Sequence, residues 1–306
     1  MKVVSYSSVV PKKNKSEEKE QLLKKFLIGV RKNKDKTVYH EGYDLVDCDV
    51  AVIQGWQHDR GKNLPHLALR KNIIDTQINK GKFVCVADSN LFLYAAKNNQ
   101  PHHYLRYSFN GVFPNTGIYF DKNIDSKRWQ QISKDLNIKL ESTKKQGVNI
   151  LLCLQRYGGW SMGPVDMNSW ILKTVAEIRK HSDRRIILRP HPKDNNSHLY
   201  LKSLPPMKSI KISQNKSIDE DLTKAWCVVN HNSSSVVAPI IKGYSAFVTD
   251  SQKSQCSDVA HHDFKYIESP QEFDREKWLQ RVSMFHWKFS ELEDGSAWAH
   301  IKNYCQ

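Results

Sequence analysis

The sequence contains no Cys-x-x-Cys pair. Its six cysteines, Cys48, Cys85, Cys153, Cys227, Cys256 and Cys305, lie far apart and mostly inside apolar runs, with no histidine at metal-ligand spacing. They read as buried free thiols. No apolar stretch approaches the ~20 residues that a membrane span requires, and the opening "MKVVSYSSVVPKKNK" has no continuous apolar signal region. A cytosolic protein without stable membrane insertion is expected. Internal repeats and low-complexity tracts are also missing. Acidic residues are in deficit, 32 Asp+Glu against 47 Lys+Arg, giving a net charge of +15. Such an excess asks for a polyanion: nucleic acid, an anionic membrane face or an acidic glycan. A solvated basic surface would give the same number.

What is present suits a globular protein. The 306 residues are 39% hydrophobic and 26% charged, enough for two ordinary domains. Residues 17 to 33 set Leu22, Leu23, Phe26, Leu27 and Val30 on one helical stripe with Lys and Arg opposite. "DVAVIQGW" (49–56) is a short buried strand, 66–82 a helix closing at Gly81, and "FVCVADSN" (83–90) a second buried strand. Strand, helix, strand at this spacing is a βαβ unit and predicts a parallel sheet, with ligands at the C-terminal strand ends. The polar, lysine-rich stretch 121–147 is the expected joint. The second half restarts as a strand from 148, a Gly158-Gly159 loop, a helix over 167–181 and the strand "RRIILRP". A short helix near 218–225 and a strand at Cys227–Val229 follow, then a helix from Val236 to Lys242. The final segment, 278–304, reads as helical with no strand character.

Two stretches carry the candidate chemistry. In "RPHPKD", Arg189, His191 and Lys193 alternate, so an extended, proline-stiffened backbone directs all three to one side. In "NHNSSSVV", Asn230, Ser233, Ser234 and Ser235 offer hydroxyl and backbone donors at a helix start, where unpaired N–H groups and the helix dipole favour an anion. Arg156 and the close-approach Gly158 add to the phosphate site. Asp88 ends a hydrophobic strand and is either the cap of a following helix or a carboxylate poised in a cleft. His58 and Asp59 are the other candidate bases. The pairs His102-His103 and His261-His262 suggest no metal site, because adjacent histidines diverge in a strand and no third ligand is offered.

In this order the motifs resemble a GT-B glycosyltransferase. "RPHPKD" resembles the HP motif of bacterial capsule-polysaccharide and sialyl-type transferases, "NHNSSSVV" their serine motif, and "VADSNLF" a degenerate form of their acidic motif. The resemblance covers roughly residues 45–300 and departs at Ala87-Asp88-Ser89, which keeps one carboxylate where the pattern has two. It implies an α/β fold of two Rossmann-like domains facing a cleft, with C-terminal helices crossing back: an acceptor domain over 1–145, a nucleotide-sugar domain over 146–285 and a tail over 286–306. It further implies metal-independent transfer from a nucleotide sugar, a UDP-sugar ahead of a CMP-sugar. Asp88 would take the acceptor proton. His191, with Arg189, Lys193 and the serine cluster, would stabilise the departing phosphate.

Lysines and arginines crowd the first 80 residues, so an anionic acceptor is expected. Double-stranded phage DNA carrying hydroxymethylated pyrimidines is preferred, reached by base flipping; Trp56 or Tyr107 would be the wedge, although each reads first as a core residue. A capsule or lipopolysaccharide acceptor is the alternative, and a non-catalytic DNA- or glycan-binding relic of the fold is a third.

Overall fold

The computed structural model describes residues 1–11, 17–57, 64–96, 104–157 and 159–305. The chain divides into two compact units: unit 1 comprises Met1–Leu93, Asn98–Ile132 and Gln280–Gln306, and unit 2 comprises Tyr94–Lys97 and Ser133–Leu279.

Unit 1 starts with β1 (Lys2–Tyr6), helix α1 (Glu17–Lys32), β2 (Lys36–His40), β3 (Val50–Gln54), α2 (Pro65–Asn79) and β4 (Phe83–Asp88). These four strands are parallel in the order β2-β1-β3-β4. The strand β5 (Leu105–Phe109) joins antiparallel to β4, setting Asp88 directly opposite Arg106. Unbroken apolar runs such as Val50–Ile53 and Val84–Ala87 are buried on both faces, as parallel strands covered by helices demand. The short strands β1, β2 and β5 were not expected. "KVVSY", "KTVYH" and "LRYSF" are each five residues long and interrupted by polar residues, so only their sheet neighbours reveal them. Helix α3 (Ser126–Asp135) carries the chain out of unit 1, with Trp129 and Ile132 buried.

Unit 2 is a five-stranded, all-parallel sheet. It contains β6 (Asn149–Cys153), α4 (Met167–Arg179), β7 (Arg185–Arg189), α5 (Ser197–Lys202) and β8 (Ile210–Ile212). After these come α6 (Ile218–Leu222), β9 (Ala225–Asn230), α7 (Val237–Ile241) and β10 (Ser245–Val248). The spatial order is β10-β9-β6-β7-β8. Its core gathers Ile150, Leu152, Ile186, Leu188, Cys227 and Val229 from the strands against Trp170, Ile171 and Ile178 of α4.

Helix α8 (Arg275–Ser283) brings the chain back to unit 1, where β11 (His286–Trp287), α9 (Phe289–Asp294) and α10 (Ser296–Ile301) complete the fold. The expectation of a purely helical tail is corrected here, since His286 and Trp287 pair antiparallel with Arg106 and Leu105. Two residues are too few to leave a periodic signal. The tail packs on α1, where a side chain at Gly29 would run into the Leu292 carbonyl oxygen at 2.0 Å, so only glycine admits the approach. The Phe26 and Trp298 rings meet edge to face at 5.7 Å beside it.

His286 also fixes the loop that follows β4. Its Nδ1–H donates to the Val282 carbonyl at 2.7 Å, and its Nε2 accepts from the Leu91 N–H at 3.1 Å. Burial pushes its pKa down from 6.5 to about 3, so the ring is neutral. A folded pKa below the unfolded one means that stability is present above pH 6.5 and is lost as pH falls toward 3. The full loss is on the order of 5 kcal/mol. Urea midpoints measured between pH 7 and pH 4 should therefore fall steeply for the natural chain and less steeply for His286→Gln. An unchanged acid slope in the variant would assign the slope to other groups.

Candidate functional site

In unit 1 a cavity of about 340 Å³ opens at the C-terminal ends of β1, β3 and β4, lined by Gln54, Gly55, His66, Arg70, Asp88 and Ser89 among others. This is where a parallel sheet places its ligands. Between the two local readings of Asp88, the structure selects the carboxylate in a pocket. Among the described residues no helix directly follows β4, and Asn90 makes the turn instead, its Oδ1 accepting the Phe92 N–H at 2.7 Å. Asp88 Oδ2 accepts from Arg106 Nη2 at 2.5 Å, a cross-strand pair.

Arg70 projects from α2 into the same cavity. Its Nε donates to the Val9 carbonyl and its Nη1 to the Trp56 carbonyl, each at 3.1 Å. Burial pushes its pKa down to about 10, against the pull of Asp88, which leaves it charged at neutral pH. Gly55 lies beneath the guanidinium with φ +76, and a Cβ there would stand 3.1 Å from Nη1. Arg70, Arg106 and Gln54 were missed by the sequence reading. Gln54 was legible as the residue before the strand-ending glycine, whereas nothing local marks the two arginines.

In unit 2 the candidate residues gather at the C-terminal edge of the sheet. The His191 loop follows β7 and the serine turn follows β9, with β6 and Arg156 between them. Strand spacing sets the two flanking ends about 10 Å apart. Asp194, buried, laces the first two ends together: Oδ2 accepts from the Tyr157 N–H at 2.7 Å and the Tyr200 hydroxyl at 3.3 Å, while Oδ1 accepts from the Asn196 N–H at 3.1 Å. Gln155 laces the other junction, its Oε1 accepting from the Asn232 N–H at 2.9 Å and its Nε2 donating to Ser161 Oγ at 2.9 Å. Asn232 also donates to Asp250 Oδ2 at 3.0 Å, and His231 Nδ1 lies 2.8 Å from Thr249 Oγ1. Neither Asp194 nor Gln155, Asn232 and Asp250 was expected. Each lies within five residues of a strand's C-terminal end, so the strand-end rule applied to every strand would have marked them.

His191 is half-buried. Its Nδ1 accepts from the Lys193 N–H at 3.1 Å, which puts the proton of the neutral ring on Nε2. Burial lowers its pKa from the ordinary value; Asp194 opposes the shift, and Arg156 and Lys193 add to it. Arg156 and Lys193 are exposed. Tyr157 stacks on Tyr200 with ring centres 5.3 Å apart.

Several expectations need correction. The Arg189 side chain does not share a face with His191 and Lys193. It turns inward, where Nη1 pairs with Asp221 and donates to the Asn215 carbonyl at 3.2 Å, and Nη2 donates to the Lys216 carbonyl at 3.1 Å. Alternation fails because β7 ends at Arg189, and the turn from Pro190 onward has no strand pleat. Asn230 is fully buried; its Nδ2 donates to the Ser233 carbonyl at 2.6 Å and lies 3.4 Å from Ser235 Oγ, so it holds the turn. Ser233 is a cap, its Oγ accepting from the Ser235 N–H at 3.2 Å. Of the three hydroxyls Ser234 alone has no partner among the described residues. A 3₁₀ turn over Ser234–Val236 precedes the five-residue α7, so the full helix dipole invoked from sequence is missing. Tyr107 is buried in the unit 1 core, the reading its sequence favoured, which removes it as a wedge, and Trp56 packs half-buried against that core. Gly158, His58, Asp59, His102 and His103 lie outside the described residues. Five cysteines are buried and Cys305 is half-buried. Among the described residues no group of three His, Cys, Asp or Glu side chains is placed to hold a metal ion, and no helix is long and apolar enough to cross a membrane.

No protein-family model and no curated protein sequence matches the chain. Solved structures do. The Thermosulfurimonas dismutans KpsC beta Kdo 2,4 transferase is 13% identical with a TM-score of 0.53, over 93% of this chain and 90% of that one. The KpsC beta Kdo 2,7 transferase of the same organism is 14% identical with a TM-score of 0.50, over 94% and 92%. At such identity the likeness speaks of fold: an α/β chain with parallel sheets of the GT-B type.

Proposed function

We propose that the chain transfers a glycosyl group from a nucleotide-sugar donor to a hydroxyl of an anionic glycan acceptor. The observation that carries this reading is the cross-linked edge of unit 2. Asp194 and Gln155 tie three strand ends into one surface, and on it the His191 ring carries its proton at Nε2 and feels the charges of Arg156 and Lys193. Two cations and a neutral imidazole donor suit a phosphate whose charge grows as the glycosidic bond breaks. The Ser234 hydroxyl adds a donor from the serine turn. Arg189 and Asn230 drop out of the binding set and act as supports.

In this reading Asp88 is the base. It removes the proton of the acceptor hydroxyl as that oxygen attacks the anomeric carbon, and the nucleotide leaves with the electron pair of the broken C–O bond. The likeness in fold to two Kdo transferases supports glycosyl transfer as the class of reaction. The cavity beside Asp88, about 340 Å³, is within the range of small-ligand sites and can admit one sugar residue. Burial of Tyr107 removes one of the two wedges that base flipping called for.

The donor assignment is tested by titrating UDP and CMP and by following nucleotide release from their sugars. UDP is expected to bind more tightly than CMP. His191→Ala should weaken nucleotide binding about tenfold, the value of one hydrogen bond to a charged group. Unchanged affinity in that variant would remove His191 from the phosphate site. Mass spectrometry of nucleosides from hydroxymethylated DNA incubated with donor tests the DNA acceptor, and a glycosylated nucleoside there would restore it.

A further inference from the structure

The cavity of unit 1 has an unbalanced charge. Asp88 is its single carboxylate among the described lining residues, and Arg106 is already paired with it across the strands. Arg70 is a second guanidinium in the same lining, and the Asp88 charge acts on it. Among the described residues, two fixed positive charges stand against one negative, and the surplus positive charge in a partly buried place calls for a partner.

The second guanidinium is also fixed in position. Two backbone carbonyls hold Nε and Nη1, and Nη2 makes no hydrogen bond among the described residues. Gly55 keeps the plane of the group uncovered, since any side chain there would press against it from a strained φ of +76. Around it stand Gln54, whose buried Oε1 has no partner, and His66 in a first helical turn that lacks both a side-chain cap and an acidic residue. A pinned donor, an orphaned acceptor and an uncapped helix start around a cavity of about 340 Å³ describe a particular occupant.

We propose that the unit 1 cavity is a subsite for an anionic monosaccharide unit, with Arg70 Nη2 gripping its carboxylate or phosphate and Gln54 Oε1 accepting one of its hydroxyls. It is the acceptor subsite in so far as the glycosyl-transfer reading holds, but the anion preference stands on the charge count alone. Asp88, beside the grip, opposes the anion. Binding is therefore tuned by two groups of opposite sign, and removing each moves affinity in opposite directions.

The test is equilibrium binding to the full chain without nucleotide. The probes are galacturonate for the carboxylate, galactose 6-phosphate for the phosphate and galactose as the neutral control. At least one anionic probe should bind about tenfold more tightly than galactose, and which one does so identifies the anion. Arg70→Gln should abolish that preference. Asp88→Asn should strengthen anion binding severalfold relative to galactose, and this variant keeps the inquiry open if Arg70→Gln fails to fold. Equal affinity for all three sugars, no anion binding at all, or weaker anion binding in Asp88→Asn would overturn the proposal. UDP titrated in parallel reports on unit 2, so a failed anion subsite and a failed glycosyl-transfer reading give different results.

Discussion

Asp88→Asn should lower the rate of glycosyl transfer by about 10²–10⁴-fold, the range spanned by removal of a general base. Nucleotide affinity should not change, because the phosphate groups are assigned to unit 2. The substitution keeps the volume and one acceptor oxygen for Arg106 but removes the negative charge, so it also leaves Arg106 and Arg70 without their shared counter-ion. Some loss of stability accompanies the loss of rate, and the two must be read separately. Turnover is measured well below the unfolding midpoint, where both proteins are folded. A fall in turnover with unchanged nucleotide affinity separates a lost base from a merely structural role, which weakens both together. Retained transfer would dismiss Asp88 as base and turn attention to His58 or Asp59.

Arg189→Ala should cost about 3–5 kcal/mol of unfolding free energy, the loss expected when one member of a buried ion pair is removed. The side chains of Arg189 and Asp221 are 9% and 4% exposed, and Asp221 is further engaged by Ser213 Oγ at 2.7 and 2.9 Å and by Asn215 Nδ2 at 2.7 Å. Without the guanidinium the carboxylate and two carbonyls are left in a poorly solvated place. Thermal or urea unfolding reads the loss directly. The part of the protein that stays folded should bind nucleotide as before. A variant of full stability with weakened nucleotide binding would reverse the assignment and return Arg189 to the phosphate site.

That reversal of role shows what a local pattern can carry. Arg189, His191 and Lys193 alternate in sequence, and alternation means a shared face only while the backbone remains a strand. β7 stops at Arg189, so the first member of the triplet obeys the sheet and the other two obey a turn. The serine cluster is similar. Ser233, Ser234 and Ser235 look equivalent in sequence, yet one caps the turn, one takes the Asn230 amide and one is left over.

By itself the sequence determined the alternation of buried strands and helices, the parallel sheets and the edge of each sheet where polar residues collect. Runs such as "VAVI" and "NILLC" bury as strands because no other local structure hides them so completely. The tertiary structure alone decided which of those polar residues face a ligand. Asp194 meets Tyr157 and Asp88 meets Arg106 across 37 and 18 positions of chain. A side chain's direction is settled by whichever partner satisfies its charge or hydrogen bonds at least cost, and those partners come from distant segments that folding brings near.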